Sequence, residues 1–187
     1  MNKTLVLGLK LLLITAVAAL CLSLTNSLTS PVIEAKRQEE LSEAFSKVYP
    51  DAETFDEIDR AQKDKLPEEV INCYKAMKGS DNIGYVFEIS APGGYGGNID
   101  FTLGVDKDKN VTGFQALSHQ ESAGFGSKIE EEFFIDGVKG VSMKDEVKAS
   151  ENGNEDNEIV AISGATYSTN AVVGGINIAR DALENLK

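Results

Sequence analysis

The stretch Ile99-Asp100-Phe101-Thr102-Leu103-Gly104-Val105, with the return run Val111-Thr112-Gly113-Phe114-Gln115-Ala116-Leu117, decides the fold. Apolar residues at 99, 101, 103 and 105 alternate with polar or small ones, the period of a half-buried strand. Asp106-Lys107-Asp108-Lys109-Asn110 between the two runs reads as a turn, so the whole predicts a β-hairpin. Upstream, Ile83, Tyr85, Phe87 and Ile89 alternate in the same way, and Pro92-Gly93-Gly94-Tyr95-Gly96-Gly97 breaks the chain before the hairpin. Strands mixed with a few helices predict an α+β domain on one largely antiparallel sheet with flanking helices.

Downstream of the hairpin, residues 128–134 read as a short helix stopped near Asp136-Gly137, and residues 140–148 as a strand. The acidic run 151–158 is a surface loop, and Ile159 to Ile162 a buried strand. Val172, Ile176, Ala179, Leu183 and Leu186 recur every three or four residues, which predicts a final amphipathic helix capped by Ser168 or Thr169. Gly174-Gly175 inside that helix implies close packing against a neighbour.

The amino-terminal third has a different character. No charged residue occurs among the 23 positions from Leu11 to Ile33, a length of roughly 34 Å as a helix against a bilayer core of about 30 Å. Lys3 and Lys10 precede it without an acid, which predicts a single transmembrane helix with a cytoplasmic amino terminus and an extracytoplasmic remainder, in the cell (inner) membrane. A cleaved signal peptide is the competing reading; its apolar core would be long, and no clean small-x-small site follows. Residues 31–47 read as a helix leaving the membrane, with Ile33, Leu41, Phe45 and Val48 on its apolar side and Pro50 beyond its end. Residues 51–81 are highly charged with little periodicity and read as short helix and loop. The expected organisation is a cytoplasmic tip and anchor over 1–33, a helical or irregular membrane-proximal segment over 34–82, and a ligand-binding domain over 83–187.

All 30 acidic residues lie beyond Ile33, against 16 basic ones, a net charge of −14 that disfavours nucleic acid as a partner. Cys73 is the one thiol outside the anchor, so neither an intramolecular disulfide nor a cysteine metal site is expected.

Two segments carry chemistry. Ser163-Gly164-Ala165-Thr166-Tyr167-Ser168-Thr169 crowds hydroxyls around one glycine where a strand gives way to a helix start, and unpaired N–H groups with the helix dipole favour a phosphate there. Ser118-His119-Gln120-Glu121-Ser122-Ala123-Gly124-Phe125-Gly126-Ser127-Lys128 contains the only histidine. Its glycines allow a ligand close to the backbone, Phe125 offers a flat cover, and Glu121 and Ser122 suit a ligand's polar edge. A plain glycine-rich turn with a partly buried histidine fits the same composition. One histidine and one glutamate are too few for a metal. Ser163 lacks the first glycine of a nucleophile elbow, Val111 and Leu117 spoil an EF-hand reading of the hairpin turn, and no P-loop occurs.

Four stretches together resemble one family: Leu24-Thr25-Asn26-Ser27-Leu28-Thr29-Ser30-Pro31, Gly94-Tyr95-Gly96-Gly97, His119 to Ile129, and Ser163 to Thr169. In their order, and spanning almost the whole chain, they resemble the G subunit of Rnf-type ion-translocating electron-transport complexes and, more distantly, the C subunit of the sodium-pumping NADH:quinone reductase. The resemblance implies FMN esterified through its phosphate to Thr166 by a flavin transferase, a threonine hydroxyl being a poor nucleophile unaided. It also implies FMN contacts from Ser163, Gly164, Ala165, Glu121, Ser122, Gly124, Phe125 and Gly126. The implied function is an electron relay in a complex with integral-membrane and iron–sulfur partners, coupling ferredoxin and NAD to ion translocation; the complex is the enzyme and this chain is not catalytic alone. Alternatives are an FMN-binding domain of another extracytoplasmic reductase, or a cofactor-free anchored binding module. Val160 and Ala123 stand where the family usually carries aspartate and proline.

Overall fold

The computed structural model describes residues 3–186. They form two compact units, one ending at Leu41 and the other starting at Ser42.

Helix α1, Lys3–Val48, runs without a break through Pro31. Its apolar stretch is entirely unburied, and the helix is long and apolar enough to cross a membrane. Thr15, Thr25 and Thr29 return their hydroxyls to carbonyls three or four residues back, which satisfies these side chains within the helix itself.

The second unit is built on a five-stranded antiparallel sheet in the order β1-β2-β3-β4-β5. The strands are β1 (Thr54–Glu57), β2 (Val70–Lys78), β3 (Asp81–Ala91), β4 (Ile99–Asp106) and β5 (Val111–Ser118), with a one-turn helix α2 (Arg60–Lys63) between β1 and β2. The architecture is the expected α+β one, and β4 and β5 pair as the hairpin read from the alternation. Segment 51–81 differs from its expected helix and loop, since it supplies two of the five strands. Strand β2 buries Val70, Cys73 and Ala76 at a spacing of three, because register shifts at Val70/Asn72 and Ala76/Met77 interrupt its alternation.

One face of the sheet carries Phe87, Ile89, Phe101, Leu103 and Phe114 into the main core. Above it lie α3 (Glu132–Val138) and α4 (Thr166–Asn185), with the Phe114 ring 5.1 Å from Phe101 and edge-on to Phe134. Val172, Ile176, Ala179, Leu183 and Leu186 are all buried, as the periodicity predicts. Gly175 explains half of the Gly174-Gly175 pair: a Cβ there would come 2.7 Å from Phe101 Cζ, whereas Gly174 faces open space.

The opposite face receives the carboxyl end of α1. Gly104 and Gly113 form a cross-strand pair, and a Cβ on either would run into the Val48 backbone. The Phe45 ring packs 4.7 Å from Tyr74 and 5.3 Å from Phe55. Tyr49 follows the helix and donates from its hydroxyl to the Ile83 carbonyl at 2.7 Å. Burial, then Asp106 and Asp51, push its phenol up to about 12.

Three further expectations change. The helix expected at 128–134 divides at Glu131 into a 3-10 turn, Gly126–Glu130, and α3. Residues 140–147 form no strand. The Val141 carbonyl and the Met143 N–H bond across the hairpin end to Val111 and Lys109, and the Asn177 amide of α4 both donates to and accepts from the Val147 backbone at 2.8 Å. A short parallel pair follows, β6 (Lys148–Ser150) with β7 (Glu158–Val160), so the last strand ends two residues earlier than expected.

Candidate functional site

Three turns that are remote in sequence converge on one cleft of about 210 Å³. The β3–β4 connection contributes Tyr95, the turn after β5 contributes Glu121, Ser122, Phe125 and Gly126, and the β7–α4 turn contributes residues 164–168. Each turn leaves the same end of the structure because each follows a strand or precedes a helix that is anchored in the core.

The β7–α4 turn is shaped by Gly164, whose φ of +78° is a left-handed conformation that L side chains rarely adopt. A Cβ at Gly164 would stand 3.3 Å from Phe125 Cδ1, so the phenyl ring rests against the glycine. Helix α4 begins at Thr166 with no side-chain cap. The expected capping role of Ser168 or Thr169 is therefore corrected, because both fall inside the first turn. Thr169 Oγ1 accepts from the Ile162 N–H at 3.1 Å and donates to the Ala165 carbonyl at 3.1 Å, which ties the segment after β7 to the helix. Ser168 instead donates to Glu121 Oε2. The Ser168 and Thr169 side chains are thus committed elsewhere, and the N–H groups of the first helical turn are left without a side-chain cap. Thr166 itself is exposed.

The turn after β5 holds its shape without proline at position 123. Phe125 and Ser127 N–H groups both donate to the Ser122 carbonyl at 3.2 Å, and the Gly124 N–H donates to Ser127 Oγ at 3.0 Å. Gly124 has a φ of +76°.

Glu121 lies at the centre of the three turns and is 9% exposed. Its Oε1 accepts from the Gly96 N–H at 2.8 Å while Oε2 takes the Ser168 hydroxyl. Burial raises its pKa, but the Ser168 hydroxyl, the Gly96 and Tyr95 N–H groups and nearby His119 together bring it below the usual carboxylate value. His119 Nδ1 accepts from the Glu121 N–H at 3.2 Å, and its Nε2 lies 3.1 Å from Glu130 Oε1. The histidine therefore buttresses the back of the turn.

Of the residues singled out in the sequence, Glu121, Ser122, Phe125, Gly126, Gly164, Ala165 and Thr166 line the cleft, while Ser163 and Gly124 sit in the same turns without lining it. Tyr95, Tyr167 and Ser168 also line it. Each stands inside one of the same glycine-bearing motifs, but a side chain's direction in such a turn depends on backbone angles that no periodicity encodes. Val160 is 45% exposed in β7. Nearby Glu158 accepts the Ser150 hydroxyl and the Asn154 N–H, which hold it below its usual pKa and commit it to closing the 151–157 loop.

Among the described residues, no basic side chain lines the cleft. An anion there would depend on backbone N–H groups and the α4 dipole, worth about 0.3–1 kcal/mol at an exposed helix end. The donor set fits a flavin mononucleotide in three respects: an uncapped helix start for the phosphate, an exposed hydroxyl at its first residue, and aromatic side chains for a planar ring. The cleft is smaller than the roughly 300 Å³ needed to enclose a drug-sized molecule, so a flavin would keep part of its surface open.

The FMN-binding domain family matches residues 94–181, which include every residue lining the cleft. The chain is 30% identical over 190 residues to the G subunit of the Na(+)-translocating ferredoxin:NAD(+) oxidoreductase complex of Acetobacterium woodii, covering 96% of this chain and 91% of that one. It is 32% identical over 173 residues to the G subunit of the ion-translocating oxidoreductase complex of Methanosarcina acetivorans, covering 91% and 89%. Among solved structures, the C subunit of the Na(+)-translocating NADH-quinone reductase from Parabacteroides distasonis superposes with a TM-score of 0.52 at 21% identity, over 62% of each chain. NqrC of Shewanella oneidensis gives 0.53 at 17% identity, over 65% of this chain and 66% of that one. These two likenesses concern the fold. The long apolar helix fits a single-pass membrane protein. By sequence across nearly its whole length, the chain belongs to the G-subunit family of ion-translocating oxidoreductase complexes.

Proposed function

We propose that this chain is a membrane-anchored electron carrier whose FMN is esterified through its phosphate to Thr166, within a complex that couples electron flow between ferredoxin and NAD to ion translocation. The observation that carries the reading is the position of Thr166: exposed, first in α4, and on the wall of the cleft built by the two other turns. Uncapped N–H groups of the helix start would hold the phosphate oxygens. Esterification suits this site, because a diester carries one charge where free FMN carries nearly two, and no basic side chain among the described residues lines the cleft to balance the second. The Thr166 oxygen would displace the outer phosphate group of a flavin nucleotide phosphoanhydride supplied on the transferase, with loss of the hydroxyl proton. When bound, the flavin would supply reversible electron transfer.

Residues 1–33 act as cytoplasmic tip and anchor in this reading, with Lys3 and Lys10 inside and the cleft outside the cytoplasm. Ser163, Gly164 and Ala165 present the acceptor threonine to a flavin transferase, while Glu121, Ser122, Gly124, Phe125 and Gly126 form the turn opposite. Partners with integral-membrane and iron–sulfur character would deliver and remove the electrons.

Coexpression of the full chain with a flavin transferase, followed by peptide mass analysis, tests the proposal. The expected result is the FMN mass on the peptide holding Thr166 and its loss in Thr166→Ala. An unmodified wild-type peptide overturns it.

A further inference from the structure

Outside α1, the large apolar side chains that remain exposed among the described residues are Tyr95, Phe125, Phe133, Val160 and Tyr167. Tyr95, Phe125 and Tyr167, at 75%, 57% and 68% exposure, line the same cleft. Isolated exposed apolar residues need no explanation, but aromatic rings gathered at one concavity mark a surface made to be covered.

The two tyrosines are held there by one side chain. The residue after Tyr95 is Gly96, whose N–H donates to Glu121 Oε1 at 2.8 Å. The residue after Tyr167 is Ser168, whose hydroxyl donates to Glu121 Oε2. One carboxylate thus ties together the chain positions next to both rings, the first in the β3–β4 connection and the second in the opening turn of α4. The fit is tight on both sides. A Cβ at Gly94 would lie 2.7 Å from Glu121 Oε1, and one at Gly126 would collide with both Glu121 Oε2 and Ser168 Oγ. Ser168 is 1% exposed, so its hydroxyl points inward while the neighbouring Tyr167 ring points out.

We propose that Tyr95 and Tyr167 are the aromatic walls between which the flavin ring is seated, and that Glu121 is a positioning residue that sets their separation by bridging Gly96 and Ser168. This rests on the flavin reading above. A small, half-open cleft needs such walls, because it cannot hold a ring by enclosure and must rely on stacking against flat side chains. With both oxygens already bonded to the protein, Glu121 works through the two turns.

The test uses the full-length chain coexpressed with a flavin transferase, with FMN content read by intact mass and ring environment read by flavin fluorescence. An electron-rich phenol in contact with the ring quenches its emission. The expected result is a severalfold rise in emission per covalently bound FMN for Tyr95→Leu and Tyr167→Leu, normalised to the FMN mass that each variant carries. Glu121→Ala should raise emission in the same direction. Glu121→Gln should restore quenching, since its amide can still accept from Gly96 and donate to Ser168 Oγ. Ser168→Ala removes one arm of the bridge with minimal change of volume and covers the case in which Glu121→Ala fails to fold. Unchanged emission in both tyrosine variants overturns the aromatic walls. A rise in the tyrosine variants with no change in Glu121→Ala or Ser168→Ala overturns the positioning role. Absence of FMN mass from the wild-type chain overturns the flavin reading and this one with it, and is scored separately from emission.

Discussion

The Thr112 hydroxyl donates a 2.6 Å hydrogen bond to the carbonyl of Val48, the last residue of α1. Thr112 stands beside Gly113 in β5, so the bond falls where the sheet has been cleared of side chains to admit the helix end. Thr112→Val keeps the shape of the side chain and removes its donor, leaving a helix-terminal carbonyl unsatisfied. The expected loss is about 1–3 kcal/mol, read as a lowered midpoint in denaturant unfolding of the full chain in detergent. An unchanged midpoint would show that this bond contributes nothing at the junction.

Gly126 gives a second expectation. Its missing side chain leaves room for the Glu121 carboxylate and the Ser168 hydroxyl to meet. Gly126→Ala should cost about 1–3 kcal/mol by overpacking. It should also reduce the FMN loading of Thr166 on coexpression with a flavin transferase, because the two turns would be forced apart. Wild-type stability together with wild-type loading would contradict the close approach.

Acid stability should depend on Glu121. Its carboxyl has a pKa below the ordinary 4.5 in the folded state. A group with a depressed folded pKa contributes stability above its unfolded pKa, and that contribution is lost as pH falls through the folded value. The melting temperature of the wild type should therefore fall more steeply than that of Glu121→Gln as the pH drops below about 4.5, and the difference between them should be constant near neutrality. Parallel melting curves across this acid range would show that the carboxylate's partners contribute nothing to folding.

Cys73 is fully buried in β2, and burial pushes its thiol up to about 12, against a smaller lowering by Lys75. Too little thiolate and no access make it inert. In a Cys21→Ser background, maleimide at neutral pH should label the chain only after denaturant is added. Rapid labelling of the native protein would show that β2 opens locally.

The hairpin Ile99–Leu117 and the face of α4 were legible because each repeats a single local period over enough residues. Strand β2 was hidden for a specific reason. Its two bulges turn an alternation of two into a spacing of three, and bulges depend on the partner strand. Strand β1, four residues long with little burial, has almost no pattern of its own and exists by pairing with β2. Residues 140–147 have strand-like composition but satisfy their backbone through the Asn177 amide and the hairpin end, a solution visible only in three dimensions.

The site divides in the same way. The composition of Ser163 to Thr169 determined that hydroxyls and a glycine would meet at a helix start, and the uncharged run from Leu11 to Ile33 determined a helix long and apolar enough to anchor the chain, since both follow from local chain properties. Only the tertiary structure decided that the turns bearing Tyr95, Glu121 and Thr166 close on one cleft. It also decided that Ser168 turns inward to Glu121 rather than capping its helix. A hydrogen bond across 47 residues depends on where the sheet and α4 place its two ends, and no local period in the chain records that distance.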